Sequence, residues 1–140
     1  MKEPNWIDVD RGKMHEKEYF SEMEREFPEI IEELKSYEDE FYHSKMEVFA
    51  DYTNQQIEKR SDKELIRCFL FQEERLEKID SDLENAIHVS YCETLLSENS
   101  EQIMTVKKEL MPKKLRGYYD DYEKRYCRRQ RITKDAQKQF

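Results

Sequence analysis

The residues most able to do chemistry in this chain are its three histidines and three cysteines. Cys92 follows His88 by four residues, so the two would share one face of a helix, where an imidazole can activate a thiol for nucleophilic catalysis. Any two residues four apart share a helix face, however, so this spacing alone does not indicate a catalytic pair. The chain has no HExxH, CxxC or GxSxG motif, and its two glycines are too few for a phosphate-cradling loop. We therefore predict no catalytic residues and no enzymatic activity.

Histidine and carboxylate pairs with metal-ligand spacing also occur. Glu40 and His43 are three residues apart, and His43 and Glu47 are four apart, as are Glu84 and His88. Helical di-metal sites use two such carboxylate–histidine pairs with a spacing of three, and this chain has one. Because helices rich in glutamate produce these spacings by chance, we predict no metal and no cofactor.

The composition favours a single helical domain. The 140 residues are 41% charged and 36% hydrophobic, yet they include nine Tyr and seven Phe, which argues against a disordered chain. No apolar run approaches the roughly 18 residues of a membrane span, and the first residues have no apolar core of a signal peptide. Widely spaced cysteines, odd in number, indicate reduced thiols and a cytoplasmic protein.

The charge is distributed unevenly along the chain. Residues 1–111 carry 15 Lys and Arg against 29 Asp and Glu, a net charge of −14, whereas residues 112–140 carry 10 against 4, a net charge of +6. The acidic body predicts repulsion from nucleic acid and membranes and attraction to a basic partner.

The elements that must position these residues are organised around the stretch from Asp80 to Ser97. On a helical wheel, only Glu84, Glu93 and His88 favour water. Apolar or small side chains occupy the rest of the circumference: Leu83, Ala86, Ile87, Val89, Ser90, Tyr91, Cys92, Thr94, Leu95 and Leu96. A helix that is apolar on nearly all sides is buried, so 81–96 is predicted to be the central helix.

Further helices are predicted on both sides of it. Pro28 and Pro112 each end one helix and begin the next, and Ser61 with Glu64 forms a capping box. The predicted helices cover 15–26, 28–38, 40–59, 62–79, 81–97, a short helix that Ser100 caps and Pro112 ends, and 113–129. This pattern predicts an all-α fold, either a compact bundle or a short helical array of six or seven helices. Residues 1–14 are expected to form a flexible lead-in that Trp6 and Ile7 could pin, 15–129 the helical domain, and 130–140 a basic tail.

A concentration of acids with adjacent tyrosines marks a candidate binding surface in the first third of the chain. Such residues can be an ordinary solvated helix face, but tyrosine is enriched at protein interfaces. The proposed contributors are Glu32, Glu33, Tyr37, Glu38, Asp39, Glu40 and Tyr42. They predict contact with a basic protein partner.

The basic C-terminal region offers an alternative. Arg125, Arg128, Arg129 and Arg131 lie close to four tyrosines, Tyr118, Tyr119, Tyr122 and Tyr126, and resemble a nucleic-acid-binding patch. Tyr119, Tyr122 and Tyr126 have helical spacing, however, and are expected to face the core. The alternative function is a protein associated with nucleic acid or the ribosome, although the acidic body makes nucleic-acid binding unlikely.

Three segments carry the residues of a family pattern: HSKMEVFADYT (43–53), LENAIHVSYCETLL (83–96) and LMPKKLRGYYDDYEKRY (110–126). An apolar-aromatic helix precedes a helix with the pattern NAI–VS–E, and Met-Pro begins the last helix. The matching residues are Asn85, Ala86, Ile87, Val89, Ser90, Glu93, Met111, Pro112 and Leu115. In these segments the chain resembles a bacterial family of small, uncharacterised helical proteins associated with immunity to secreted toxins.

This resemblance implies an immunity protein that binds and blocks a cognate bacterial toxin. Many such toxins are basic nucleases, so an acidic inhibitor would gain electrostatic steering and cover the site where phosphate binds. An inhibitor of this kind needs no catalytic residues. Whether it is a monomer or a homodimer stays open.

Overall fold

The computed structural model describes residues 12–98 and 100–138, with side chains for 12–95 and 102–125. This part of the chain is helical and contains no strand, and one isolated bridge joins Met14 to Ile79. The helices are α1 (Glu16–Glu26), a 3-10 turn (Pro28–Ile30), α2 (Ile31–Lys35), α3 (Tyr42–Lys59), α4 (Asp62–Arg75), α5 (Ser81–Ala86), a π-helical turn (Ile87–Tyr91), α6 (Cys92–Glu98), α7 (Ser100–Leu110) and α8 (Lys113–Lys138). The predicted all-α class is confirmed.

The predicted central helix is the continuous run of α5, the π-helical turn and α6. Asp80 caps it, because its carboxylate accepts a hydrogen bond of 2.9 Å from the Leu83 amide. The wider π-helical turn is accompanied by three consecutive buried residues, Ser90 to Cys92. The buried residues of the whole run are Leu83, Ala86, Ile87, Ser90, Tyr91, Cys92 and Leu95. The run packs along α3, which itself buries nine side chains.

Aromatic rings fill the space between α1, α3, α4 and the π-helical turn. Phe71 lies at the centre, with ring centroids 5.4 Å from Tyr19, 5.6 Å from Phe27 and 5.5 Å from Phe49. Phe49 in turn stacks on Tyr91 at 5.6 Å. These edge-on and stacked arrangements suit the quadrupoles of the rings and join four elements into one core.

A buried guanidinium joins α1 to α4 beside this core. Arg75 lies 3.8 Å from the centroid of the Phe71 ring and pairs with Glu22 at 2.8 Å and Glu26 at 3.3 Å. The same guanidinium donates to the Phe71 carbonyl, so its donors are satisfied although the residue is buried. This arrangement fixes how α1 packs on α4.

Some large apolar side chains of the predicted helices are exposed. Leu70 is 42% exposed and Met104 is 61% exposed, because each lies beside the buried stripe of its helix rather than on it. Phe41 is also exposed; it precedes α3, which begins at Tyr42 and not near Glu40. Val89 is half-buried, so the central helix is less completely covered than predicted.

Other helix ends also differ from the prediction, and α2 ends at Lys35 rather than at residue 38. Ser61 precedes α4, but its side chain makes no capping hydrogen bond, and Glu64 pairs with Arg67, so the capping box is wrong. Helix α4 ends at Arg75, with a turn before the buried Ile79, and α8 continues to Lys138 beyond the predicted end at Arg129. The predictions for 1–11 and for the side chains of Leu96, Tyr126, Cys127, Arg128, Arg129 and Arg131 lie outside the described residues.

Candidate functional site

The predicted binding residues lie on α2, on the loop of residues 36–41 that joins it to α3 and, in the case of Tyr42, at the start of α3. Residues 29–47 contain seven Asp and Glu against two Lys. We define the acidic face as six residues that are all exposed: Glu32, Glu33, Tyr37, Glu38, Glu40 and Phe41. Their proximity follows from the chain itself, because the short helix and the loop keep them close together.

Two aromatic rings lie within this acidic face. Tyr37 is 42% exposed and Phe41 is 53% exposed. The Phe41 amide donates to the Glu38 carbonyl at 2.9 Å, which closes a turn and holds Phe41 in the position before α3. An aromatic pair bordered by carboxylates has the composition of an interface centre with a charged rim. Sequence reasoning missed Phe41.

Asp39 and Tyr42, which were predicted as partner contacts, also contribute to the fold. Asp39 accepts a hydrogen bond of 2.9 Å from the Lys45 ammonium, whose side chain is 4% exposed. Lys45 also lies 5.3 Å from the centroid of the Phe20 ring. Tyr42 is half-buried against the core, and burial followed by the charges of Asp82, Glu16 and Asp80 raises its pKa.

The Lys45 pairing gives a stability prediction for Asp39. Asp39→Asn should lower the free energy of unfolding by about 1–2 kcal/mol, because a buried ammonium loses its counter-charge, although half of the Asp39 side chain is in water. Glu40→Gln is the matched control and should change it by less than about 0.5 kcal/mol, since Glu40 is exposed. Urea unfolding measures both. Equal effects from the two variants would refute the structural role of Asp39.

The described His43 and His88 bond to other side chains, and the described cysteines are buried. The His88 Nε2 atom lies 2.8 Å from Asp121 on α8, and the His43 Nδ1 atom lies 2.6 Å from the Ser90 hydroxyl. Cys92 is buried, and burial raises the pKa of its thiol. A neutral buried thiol is a poor nucleophile, so the geometry does not assemble the His88–Cys92 pair for catalysis.

Thiol reactivity checks this placement. Burial raises the pKa of Cys68 to about 12, and that of Cys92 is also raised. Because a raised pKa keeps a thiol protonated at pH 8, neither residue should react with Ellman's reagent in the folded protein. In a Cys127→Ser variant we expect no fast reaction, and two thiols should titrate after addition of denaturant. Rapid native reaction of either thiol would show that its burial is incorrect.

Another group of possible metal ligands does come together. His15, Glu16 and Asp80 place one donor atom each within 4.8 Å of one another. The His15 Nδ1 atom lies 2.7 Å from one Asp80 carboxylate oxygen, while the other oxygen caps α5. These contacts join the start of α1 to the start of the central helix, which gives the group a structural role.

Of the four arginines of the alternative basic site, the structure describes the side chain of Arg125. Arg125 is exposed and pairs with Asp121 at 3.1 Å, one helical turn away. Lys107 likewise pairs with Asp120 at 2.6 Å. In its described side chains, α8 therefore carries charges of both signs rather than a continuous basic stripe, since Asp120, Asp121 and Glu123 lie among its lysines and arginines.

Comparisons with known proteins give a family but no activity. Among the described helices, none is long and apolar enough to cross a membrane. No curated protein and no solved structure matches the chain significantly. The model of the domain of unknown function DUF7674 matches residues 20–128. Its description names no source, partner or activity, so it supports the expected membership of an uncharacterised family and leaves toxin immunity as a hypothesis. Since the match covers most of the sequence, this chain belongs to the DUF7674 family.

Proposed function

We propose that this protein is a non-catalytic binding module that occludes a basic protein partner with its acidic face. The observation that carries the proposal is the exposure of Tyr37 and Phe41 within a rim of carboxylates. A large aromatic side chain left in water next to a polar loop has no stabilising role in the free protein. At an interface it becomes an anchor, since aromatic residues dominate binding energies there.

In the proposed mechanism, charge determines the association rate and packing determines the dissociation rate. Glu32, Glu33, Glu38 and Glu40 meet lysines and arginines of the partner, which raises the association rate. Phe41 and Tyr37 fill the centre of the contact and exclude water, which slows dissociation. Asp39 bonds to Lys45 and Tyr42 packs against the core, and these contacts hold the start of α3 so that the loop presents the two rings.

The partner class we propose is a cognate toxin domain. This step rests on the resemblance and on charge: a domain that cleaves nucleic acid presents a basic cleft, and an acidic inhibitor competes for it. The protein would act in the cytoplasm, where Cys68 and Cys92 remain reduced.

Co-expression tests this function. The neighbouring gene is examined for a large secreted protein with a variable C-terminal domain, and that domain is produced with and without this protein. We expect this protein to restore growth and to co-purify with the domain in equal amounts. Failure of both, when the domain alone is toxic, would refute the proposed partner class.

A further inference from the structure

The outward side of α4 carries two large apolar side chains that the core leaves in water. Ile66 is 41% exposed and Leu70 is 42% exposed, and their spacing of four residues makes them neighbours on the helix surface. On the same helix Leu65 and Phe69 are fully buried, so the core is closed without the outer pair. The outer pair leaves water only when another surface covers it.

A charge of opposite sign lies at each end of this apolar pair. Lys63 precedes Ile66 by three residues, and Glu74 follows Leu70 by four, so these side chains share one face of α4. We define the α4 stripe as these four residues, which are all exposed: Lys63, Ile66, Leu70 and Glu74. The stripe is therefore basic at one end, apolar in the middle and acidic at the other end.

The charges at the two ends of the stripe are less engaged than their neighbours. Nearby groups pair within the chain: Asp62 with Arg60, Glu64 with Arg67, Glu77 with Lys114, and Glu73 with the first amides of α8. Among the described residues, no hydrogen bond or ion pair engages Lys63. Glu74 is 62% exposed and lies 3.7 Å from Arg75, a guanidinium that has closer carboxylate partners. Lys63 and Glu74 are separated by roughly 16 Å along the helix, so they cannot pair within one chain.

A second copy of the chain brings opposite charges together at both ends. When two α4 helices pack antiparallel about a two-fold axis, each residue lies opposite the mirrored position of the partner. The apolar pair and the charged pair of the stripe share one midpoint to within about 1 Å, because each residue adds a rise of about 1.5 Å. One axis therefore places Ile66 against the partner's Leu70. The same axis places Lys63 against the partner's Glu74.

The overall charge of the chain also favours this surface for self-association. The net charge is −8, so two copies repel each other at a distance and need a contact surface where the local charge is balanced. The α4 stripe has one positive and one negative end. A uniformly basic partner, of the kind proposed for the acidic face, would meet repulsion at Lys63. The stripe shares no residue with the acidic face, so the inference does not depend on the proposed function.

We propose that the α4 stripe is the interface of a homodimer, in which α4 packs antiparallel on α4 of a second copy. Ile66 and Leu70 of both copies form the apolar centre. Two pairs between Lys63 and the partner's Glu74 close the ends. One pair of helices buries less than the about 1,600 Å² of a standard interface, so the dimer is weak and reversible.

Sedimentation equilibrium of the full chain from about 10 to 500 μM, the range for a small interface, tests this proposal. We expect a reversible equilibrium of monomer and dimer. Leu70→Glu places a charge in the apolar centre and should weaken dimerisation at least tenfold. Met104→Glu on α7, where the side chain is 61% exposed, is the matched control and should leave the dissociation constant within about twofold. A monomer throughout this range, which would leave the stripe to a different protein, or a dimer that Leu70→Glu does not weaken, would overturn the proposal.

Charge exchange tests the antiparallel arrangement and uses only exposed positions, so it does not depend on how Leu70→Glu folds. Lys63→Glu and Glu74→Lys should each weaken the homodimer roughly tenfold, because two attractive pairs become two repulsive ones. Glu74→Lys lowers the net negative charge, so overall repulsion alone would predict a tighter dimer instead. An equimolar mixture of the two variants should form a heterodimer within about threefold of the unmodified affinity, since opposite charges then meet at both ends. No recovery in the mixture would contradict the antiparallel interface.

Discussion

Phe71→Ala should lower the free energy of unfolding by about 3–5 kcal/mol, the range for truncating a buried phenylalanine. Phe71 is 1% exposed, and its ring contacts Tyr19, Phe27 and Phe49. Its removal leaves a cavity among the rings of three helices and takes away the surface on which the Arg75 guanidinium lies. Urea unfolding followed by circular dichroism measures this loss.

Phe41→Ala is the matched control for this prediction. It removes the same side chain from a position that is 53% exposed, so the free energy of unfolding should change by less than about 0.5 kcal/mol. The pair also separates stability from binding, because Phe41→Ala should weaken the partner complex while leaving the fold intact. A loss below about 1 kcal/mol for Phe71→Ala would contradict the description of the core.

Reversing charge on the acidic face should slow association with the partner. The double variant Glu38→Lys with Glu40→Lys changes four units of charge on exposed positions and leaves the Asp39–Lys45 pair in place. We expect the association rate with the toxin domain to fall at least tenfold at low salt, because steering by charge acts on the encounter. At about 0.5 M salt the difference should shrink, since screening shortens the range of the field.

The control for this prediction carries the same change of charge elsewhere. Glu58→Lys with Glu93→Lys replaces two exposed glutamates on α3 and α6, away from the acidic face. Surface plasmon resonance should show an association rate within about twofold of the unmodified protein. A similar decrease in both double variants would mean that only total charge matters, and the acidic face would lose its assigned role.

Sequence periodicity predicted the architecture because the core follows it. The all-α class and the central position of 81–96 came from apolar side chains on a wheel, and Leu83, Ala86 and Ile87 are buried as that wheel requires. Tyr119 and Tyr122 are buried for the same reason. Periodicity reports which side chains leave water, so it succeeds where burial decides the structure.

Contacts between distant segments could not be predicted in this way. The pairing of Asp39 with a buried Lys45 depends on how the loop folds back on α3, and that of His88 with Asp121 on the docking of α8. The exposure of Phe41, in contrast, could be predicted from a helical wheel. At 100° per residue it lies about 115° from the centre of the stripe formed by Met46, Phe49 and Thr53, which indicates an exposed ring.

The central claim is that the acidic face is the contact surface, and amide hydrogen exchange of the complex with the toxin domain tests it most directly. Exchange is compared between the free protein and the complex. We predict slower exchange in the complex for residues 31–45, which include α2, the loop and the start of α3, and no change for 113–125. Protection located on 113–125, or absent from 31–45 in a stable complex, would contradict the claim.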